Sequence, residues 1–339
     1  MNAKGRQQWR PFCFCSRALL CYTERMKTFS SYVQNLPTFV IRLALGLVAF
    51  ILFAYYPLGM FIVHKVDDDA AFSAGKFEVR NGSASTAIAI AVLNREINTY
   101  HWTPSDPFFY PGAALTRMPA FQRGIVTGLS RFAVSLSDQI ARTRGSSQID
   151  HDLQNAVGLL KYAPNVWMFN PDVSWLPTAS SAKQYQSAIK SLTIYNERLA
   201  SGKATFERRA DNLMQTLDGM ASDLGSASSA LETHIEARSS LAFGASAELY
   251  YYNKGLLYAN YLLLREIEKD FADVIKEKQL QNAWMQMLAT LREGMGLGNF
   301  LVINAAPDSQ FFPNHLASQG FFILRVRTQL REVTNILLK

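Results

Sequence analysis

A run of 21 uncharged and largely apolar residues, LALGLVAFILFAYYPLGMFIV at positions 43–63, restricts more than any other feature how this chain can fold. As an α-helix the run would reach about 31 Å, close to the thickness of the hydrocarbon core of a bilayer. A buried helix of a soluble protein normally keeps a polar stripe, and a cleaved signal has a shorter apolar region with small residues directly after it. Three aspartates, at positions 67–69, follow this run instead. The run therefore predicts a permanent transmembrane helix, with a cleaved signal and a core helix as the alternatives.

Basic residues are concentrated on one side of this helix. Residues 1–42 contain seven Lys or Arg and one acid, Glu24, whereas the other flank has Lys65 followed by the three aspartates. Because positively charged flanks stay in the cytoplasm, the pattern predicts a short basic cytoplasmic tail at 1–42, a transmembrane helix at 43–63 that contacts membrane lipid, and an exported domain at 65–339. In a Gram-negative bacterium this is an inner-membrane protein with its bulk in the periplasm.

Charge and cysteine content argue against several classes of function. The chain carries 34 basic and 27 acidic residues, but the part beyond residue 42 has 27 and 26, so the exported domain is not expected to bind nucleic acid. All three cysteines, Cys13, Cys15 and Cys21, lie in the tail, so no disulfide can hold the domain together. Three thiols without a fourth ligand make a poor zinc site, and we expect neither a metal nor a cofactor. A start of translation at Met26, which would leave the cysteines out, is a further hypothesis.

Helical periodicity dominates the exported part and predicts an all-α fold: one N-terminal transmembrane helix followed by a periplasmic helical bundle with long coiled-coil-like helices. Apolar residues recur every three or four positions from Phe121 to Ile140 and from Leu249 to Val274, and the segment from Asn314 onward is amphipathic. The segment TAIAIAVLNREI at 86–97 alternates in part like a strand but fits a helix better.

The most regular pattern lies between residues 185 and 231, where apolar residues repeat in a 4-3 spacing that favours packing against a partner helix. Its two sets of positions are Tyr185, Leu192, Leu199, Phe206, Leu213, Met220 and Ala227, and Ile189, Asn196, Lys203, Ala210, Leu217, Leu224 and Leu231. As one helix the segment would be about 70 Å long. We favour two helices separated near Gly202, since the polar Asn196 and Lys203 weaken the pattern there. The repeat can pair within the chain, between two copies, or with another envelope protein.

No catalytic motif stands out, but three Pro-rich aromatic loops resemble one another. PDVSWLP at 171–177 and PDSQFFP at 307–313 share the pattern Pro-Asp-x-x-aromatic-x-Pro, and PSDPFFYP at 104–111 is a looser relative. If the loops meet, their rings and carboxylates can line a groove for a sugar or a peptide. Alternatively, the aspartates cap helices and the rings close the end of the bundle. The candidate ligand-binding residues are His101, Trp102, Asp106, Asp172, Trp175, Asp308 and Phe311.

Four separated blocks occur in order along the chain: YPLGMFIVHKVDDD, MPAFQRGIVTGLSRFAVSLSDQIARTRGSSQIDHDLQNA, ERRADNLMQTLDGMASDLGSASSAL and PNHLASQGFFILRVRTQL. Together they resemble the bacterial domain of unknown function 2333 family, over roughly residues 55–339. The resemblance implies a single-anchor envelope protein of proteobacteria and supplies no catalytic residue. We therefore expect a membrane-tethered periplasmic helical protein that binds another envelope component. A cell-envelope enzyme or a ligand-binding sensor that uses the aromatic loops is the alternative.

Overall fold

The structure is a computed structural model that describes residues 38–144, 150–169, 176–237, 243–298, 301–306 and 309–339. Within these ranges the chain is helical and contains no β-strand, so the all-α prediction is confirmed. The helices are α1 Thr38–Val63, α2 Ala84–Asn94, α3 Arg117–Arg144, α4 His151–Leu160, α5 Ser181–Ala200, α6 Ala210–Glu236, α7 Phe243–Asp270, α8 Ala272–Glu277, α9 Gln281–Gly296 and α10 His315–Leu337. Single 3-10 turns lie at Gly75–Phe77, Thr103–Ser105 and Pro111–Ala114, and π-helical turns at Ile51–Tyr55, within α1, and at Arg95–Thr99, directly after α2.

In the described part of the chain, α1 is the one helix that is long and apolar enough to cross a membrane. Within the described residues it spans Thr38–Val63, which is 26 residues and includes the predicted 43–63 together with one preceding turn. The additional turn contains Arg42, whose long side chain can extend from a helix end to the polar interface. No residue in the most apolar 18-residue stretch of α1 is buried against the rest of the protein. A core helix would be mostly buried, so this exposure argues against that alternative.

Residues Leu58–Lys339 form one compact unit, and α7 runs through its core. Nearly every side chain of α7 from Tyr250 to Leu264 is buried, which is the pattern of a helix covered on all sides. Helices α2, α3 and α9 pack directly on it. The predicted apolar series of α3, Phe121 to Ile140, is buried as well, and 86–97 forms α2 and part of its π-turn rather than a strand.

Helices α3 and α7 approach until their backbones touch. A Cβ atom placed on Gly124 would overlap the carbonyl oxygen of Tyr252, and one placed on Gly255 would overlap the carbonyl oxygen of Phe121. A residue with a side chain therefore does not fit at either position without moving a helix backbone. The two glycines fix the closest contact in the bundle's centre.

The repeat at 185–231 forms two helices, as the residues around Gly202 predict. Helix α5 ends at Ala200, Gly202 adopts a left-handed conformation with φ of 72°, and α6 begins at Ala210. Helix α5 packs on α4 and α2, whereas α6 packs on α10 and α3. The repeat positions that this packing buries are Tyr185, Ile189, Leu192, Asn196, Leu213, Leu217, Met220, Leu224, Ala227 and Leu231. Self-association through the repeat stays a prediction, and it would require these contacts within the chain to open.

Candidate functional site

A cluster of buried charge lies where the chain leaves α1. Three charged side chains that are at most 5% exposed, Arg95, Glu96 and Lys254, come from the turn after α2 and from α7. Arg95 and Lys254 form ion pairs with the acidic residues that follow α1. We define the exit clamp as Asp67, Asp68, Arg95, Glu96, Lys254 and Tyr258.

Arg95 and Glu96 begin the π-helical turn that continues α2. Such turns are rare and occur frequently at functional sites. The Glu96 carboxylate accepts hydrogen bonds from Arg95 Nε at 2.9 Å and from Gln122 Nε2 at 3.3 Å. Arg95 uses its remaining donors on the Tyr258 hydroxyl at 2.9 Å and on the carbonyl oxygen of Asp67 at 3.0 Å. The guanidinium thus links two helices to the segment that leaves α1.

The acidic residues after α1 each contact a different partner. Asp67 accepts a hydrogen bond from the Tyr100 hydroxyl at 2.6 Å, and its carboxylate lies 3.3 Å from Arg95 Nη1. Asp68 accepts from Lys254 Nζ at 2.7 Å. The backbone carbonyl of Asp69 accepts from the Tyr258 hydroxyl at 3.1 Å. The run of three aspartates therefore docks on buried cations and a buried hydroxyl.

The same segment is held further along by the end of α7. Arg265 donates to the carbonyl oxygens of Ala70 and Phe72, both at 2.7 Å. Asp270 accepts from the backbone N–H groups of Ala84 at 2.8 Å and Ser85 at 2.9 Å, at the start of α2. The chain between α1 and α2 is thus attached to α7 at residues 68–72 and again at residues 83–85.

The charge states follow from these surroundings. Burial by itself raises the pKa of Asp67, but the Tyr100 hydrogen bond and the Arg95 charge outweigh it and lower the pKa below its ordinary value. The hydrogen bond to Asp67 raises the pKa of Tyr100 to about 12. Burial raises the pKa of Glu96 against the opposing effect of Arg95. At neutral pH an ionised Asp67 and a protonated Tyr100 therefore support each other.

Of the predicted ligand-binding residues, His101 and Asp106 are in contact. His101 Nε2 and Asp106 Oδ1 are 2.8 Å apart, and this hydrogen bond raises the pKa of His101. Trp102 is 1% exposed, and its indole N–H donates to the Pro164 carbonyl oxygen at 2.9 Å. Its ring packs edge-on against Tyr185, with centroids 5.0 Å apart. Trp102 is therefore a core residue in this structure, with no ring face open to a ligand.

The other predicted residues give less information about the groove. Asp172, Trp175 and Asp308 lie outside the described residues. Phe311 is 88% exposed. The ligand groove stays a prediction.

The first aromatic loop meets aromatic residues that precede the second loop and that the sequence pattern did not single out. The Phe109 ring lies 5.5 Å from the Trp167 ring, which lies 5.3 Å from the Phe169 ring. Phe108 packs edge-on against Phe109, with centroids 5.4 Å apart. The sequence signal for the second loop was the aromatic run VWMF at 166–169, just before the PDVSWLP segment.

The exit clamp was also missed at the level of sequence, although two signals point to it. One Asn separates Arg95 and Glu96 from the apolar run AIAIAVL that precedes them. Lys254 interrupts the mainly apolar run from Leu249 to Leu264. Charged residues at such positions have to be paired when the helix is buried.

In the residues described, no group of three or more His, Cys, Asp or Glu side chains is placed to hold a metal ion.

Comparison with known proteins gives one match. A family model described as "Uncharacterized protein conserved in bacteria (DUF2333)" matches residues 35–242. The match includes α1 and the first four charged residues of the exit clamp, and it ends before α7. No curated protein and no solved structure matches the chain.

Proposed function

Because the chain belongs to the bacterial family DUF2333, whose description assigns no activity, we propose that it is a membrane-anchored helical protein that binds another component of the bacterial envelope. The proposal places the basic tail before α1 in the cytoplasm, α1 in the inner membrane and the helical unit in the periplasm. The basic tail and the acidic exit segment support this orientation.

The exit clamp is the observation that carries this proposal. A domain that only needs tethering to a membrane can be joined to its anchor by a flexible polar linker. In this chain, side chains of the π-helical turn after α2 and of α7 bind residues 67–72 directly, and the contacts include ion pairs of the buried cations Arg95 and Lys254. Binding the residues that follow α1 in place of a free linker is useful when the position of a binding surface matters.

A groove between α6 and α10 is the surface that best suits a protein partner. It has a volume of about 760 Å³. Phe321 and Leu324 line it, and they are 57% and 49% exposed. Glu232, Glu236 and Arg327 surround these apolar side chains with charge. An apolar centre with a polar rim is typical of protein interfaces.

Two experiments test the proposal. A phosphatase that is active only in the periplasm, fused after Lys339, should be active, and activity of a cytoplasmic reporter at that end would contradict the orientation. A photo-crosslinking residue at Phe321 or Leu324 should then capture a discrete partner in cells. The same residue at Met285, which is equally exposed at 57%, should not. Equal labelling at all three positions, or none at native expression, would argue against a binding role for the groove.

No observation in the described residues favours the alternative of an envelope enzyme. Hydrolysis of a glycosidic bond generally requires two carboxylates facing one cleft. Of the predicted aspartates, Asp106 is the one that the structure describes, and its side chain is 6% exposed and bound to His101.

A further inference from the structure

Beyond α1, large apolar side chains on the surface of the described residues are concentrated in the three aromatic loops. Of fourteen such side chains, nine lie in these loops or next to them. They are Phe108, Phe109, Tyr110, Met168, Phe169, Leu176, Leu301, Phe311 and Phe312. Ring contacts join Phe108, Phe109 and Phe169 through Trp167, so at least these exposed groups form a patch rather than the scatter that any protein shows. We refer to these nine residues as the aromatic surface.

The first loop touches α1 itself. A Cβ atom on Gly59 would collide with the ring of Pro111, so the loop packs directly against the helix at this glycine. Gly59 precedes the end of α1 by four residues, which corresponds to about 6 Å along the helix axis. A residue that packs on Gly59 therefore lies level with the last apolar turn of α1, measured along the helix axis. Phe108, Phe109 and Tyr110 directly precede Pro111.

The chain before the third loop also reaches the end of α1. A cavity of about 410 Å³ is lined by Met60 and His64 from this end and by Leu301 and Val302 from the chain before the third loop. Arg117, at the start of α3, lines the same cavity. This is an apolar cleft with a cation at its wall, next to the polar end of a membrane-spanning helix. Such a site suits an acyl chain and the phosphate of its headgroup.

We propose that the aromatic surface inserts into the boundary between headgroups and acyl chains of the bilayer that holds α1. Aromatic side chains favour this boundary, because an apolar ring and a polar edge are both satisfied there. Continuity with α1, at Gly59 and at Met60, identifies lipid as the occupant of this surface, in place of the sugar or peptide that the sequence pattern suggested. The inference rests on the proposed membrane anchor.

Fluorescence quenching by nitroxide-labelled lipid tests this inference on the full chain. Cys13, Cys15 and Cys21 are first replaced by Ser, because no other cysteine is present. Single cysteines at Phe108, Phe169 and Phe311 then carry an environment-sensitive fluorophore, in vesicles of phosphatidylethanolamine and phosphatidylglycerol. Matched controls on the same unit are Ile194 and Met285, which are 46% and 57% exposed. Leu52, in the middle of α1, reports on the anchor.

We expect loss of fluorescence at Phe108, Phe169 and Phe311 and none at the two controls. Quenching at Leu52 alone would overturn the lipid contact of the aromatic surface and leave the anchor in place. Quenching at Ile194 and Met285 to the same degree would also overturn it, because the surface would then not be selective. Absence of quenching at Leu52 would refute the anchor, and this inference with it. A discrete protein crosslinked at Phe108 in cells, without quenching in vesicles, would assign the surface to a protein.

Discussion

Replacing Arg95 by Met should destabilise the helical unit more than any other single change of charge in the exit clamp. Arg95 is 5% exposed, and Met is close to it in length but cannot donate. The substitution removes the donors to Glu96, to Tyr258 and to the Asp67 carbonyl. Glu96, which is 0% exposed, would keep Gln122 as its remaining partner among the contacts described.

The magnitude follows from leaving a buried charge uncompensated. Breaking a buried ion pair on one side costs about 3–5 kcal/mol, whereas replacing both partners by apolar residues is often nearly neutral. We therefore expect Arg95→Met to lower the free energy of unfolding by about 3–5 kcal/mol, which is roughly two to four orders of magnitude in the unfolding equilibrium. Adding Glu96→Leu to Arg95→Met should recover most of this loss, since no fully buried charge is then stranded: the Asp67 side chain is 31% exposed and keeps the Tyr100 hydroxyl as a donor.

Urea denaturation of the full chain in detergent, followed by circular dichroism at 222 nm, measures these differences. The control is Arg131→Met, because Arg131 forms a more open pair with Asp223 at 3.6 Å and its side chain is 65% exposed. Such a surface pair contributes about 0–1 kcal/mol. A loss for Arg95→Met no larger than that of the control would refute the role given to the clamp. If Glu96→Leu fails to restore stability, the loss in free energy of unfolding comes from the missing Arg95 hydrogen bonds to Tyr258 and Asp67 rather than from the unpaired Glu96 carboxylate.

Three further outcomes follow from the same structure. Gly255→Ala should cost at least about 3 kcal/mol in thermal or urea unfolding, because its methyl group meets the α3 backbone, whereas Gly158→Ala, with nothing within 4 Å, should stabilise α4 by about 0.5–1 kcal/mol. NMR titration of His101 should give a pKa above 6.5, and the substitution Asp106→Asn should lower this pKa. Because folding raises the pKa of His101, the His101–Asp106 pair stabilises the loop fully below pH 6.5. This contribution is lost as the pH rises through the folded-state pKa of His101. Asp270→Ala should cost about 2–4 kcal/mol, measured by urea unfolding, because it leaves buried N–H groups at the start of α2 unpaired; an unchanged midpoint would mean that water replaces the carboxylate.

The helices could be predicted from sequence because each depends on residues a few positions apart. The apolar series of α3 and α7 and the break at Gly202 are local patterns, and the structure confirms them. The exit clamp could not be predicted in this way. Lys254 and Asp68 are 186 residues apart, and Arg265 and Ala70 are 195 apart. Nothing in a short window indicates which buried cation will meet which acid.

The aromatic loops show a second limit. Trp102 and Phe108 belong to the same short stretch, yet one is 1% and the other 83% exposed. The difference depends on where Tyr185 and Pro164 lie, since both contact Trp102. A Pro-rich aromatic motif predicts that rings will gather near a loop. It does not tell which rings enter the core and which stay at the surface.

The exit clamp also imposes an order on biosynthesis. Asp68 can form its ion pair only after Lys254, 186 residues later, has been synthesised. At about 5–20 residues per second, the ribosome needs roughly 10–40 s for this length of chain. During that time the acids after α1 remain hydrated, and residues 68–72 lack the α7 side chains that bind them. A nascent chain interrupted before α7 would keep its apolar helix and lack every cation of α7 that grips the exit segment. Completion of α7 is thus the event after which the residues that follow α1 can be bound by the helical unit.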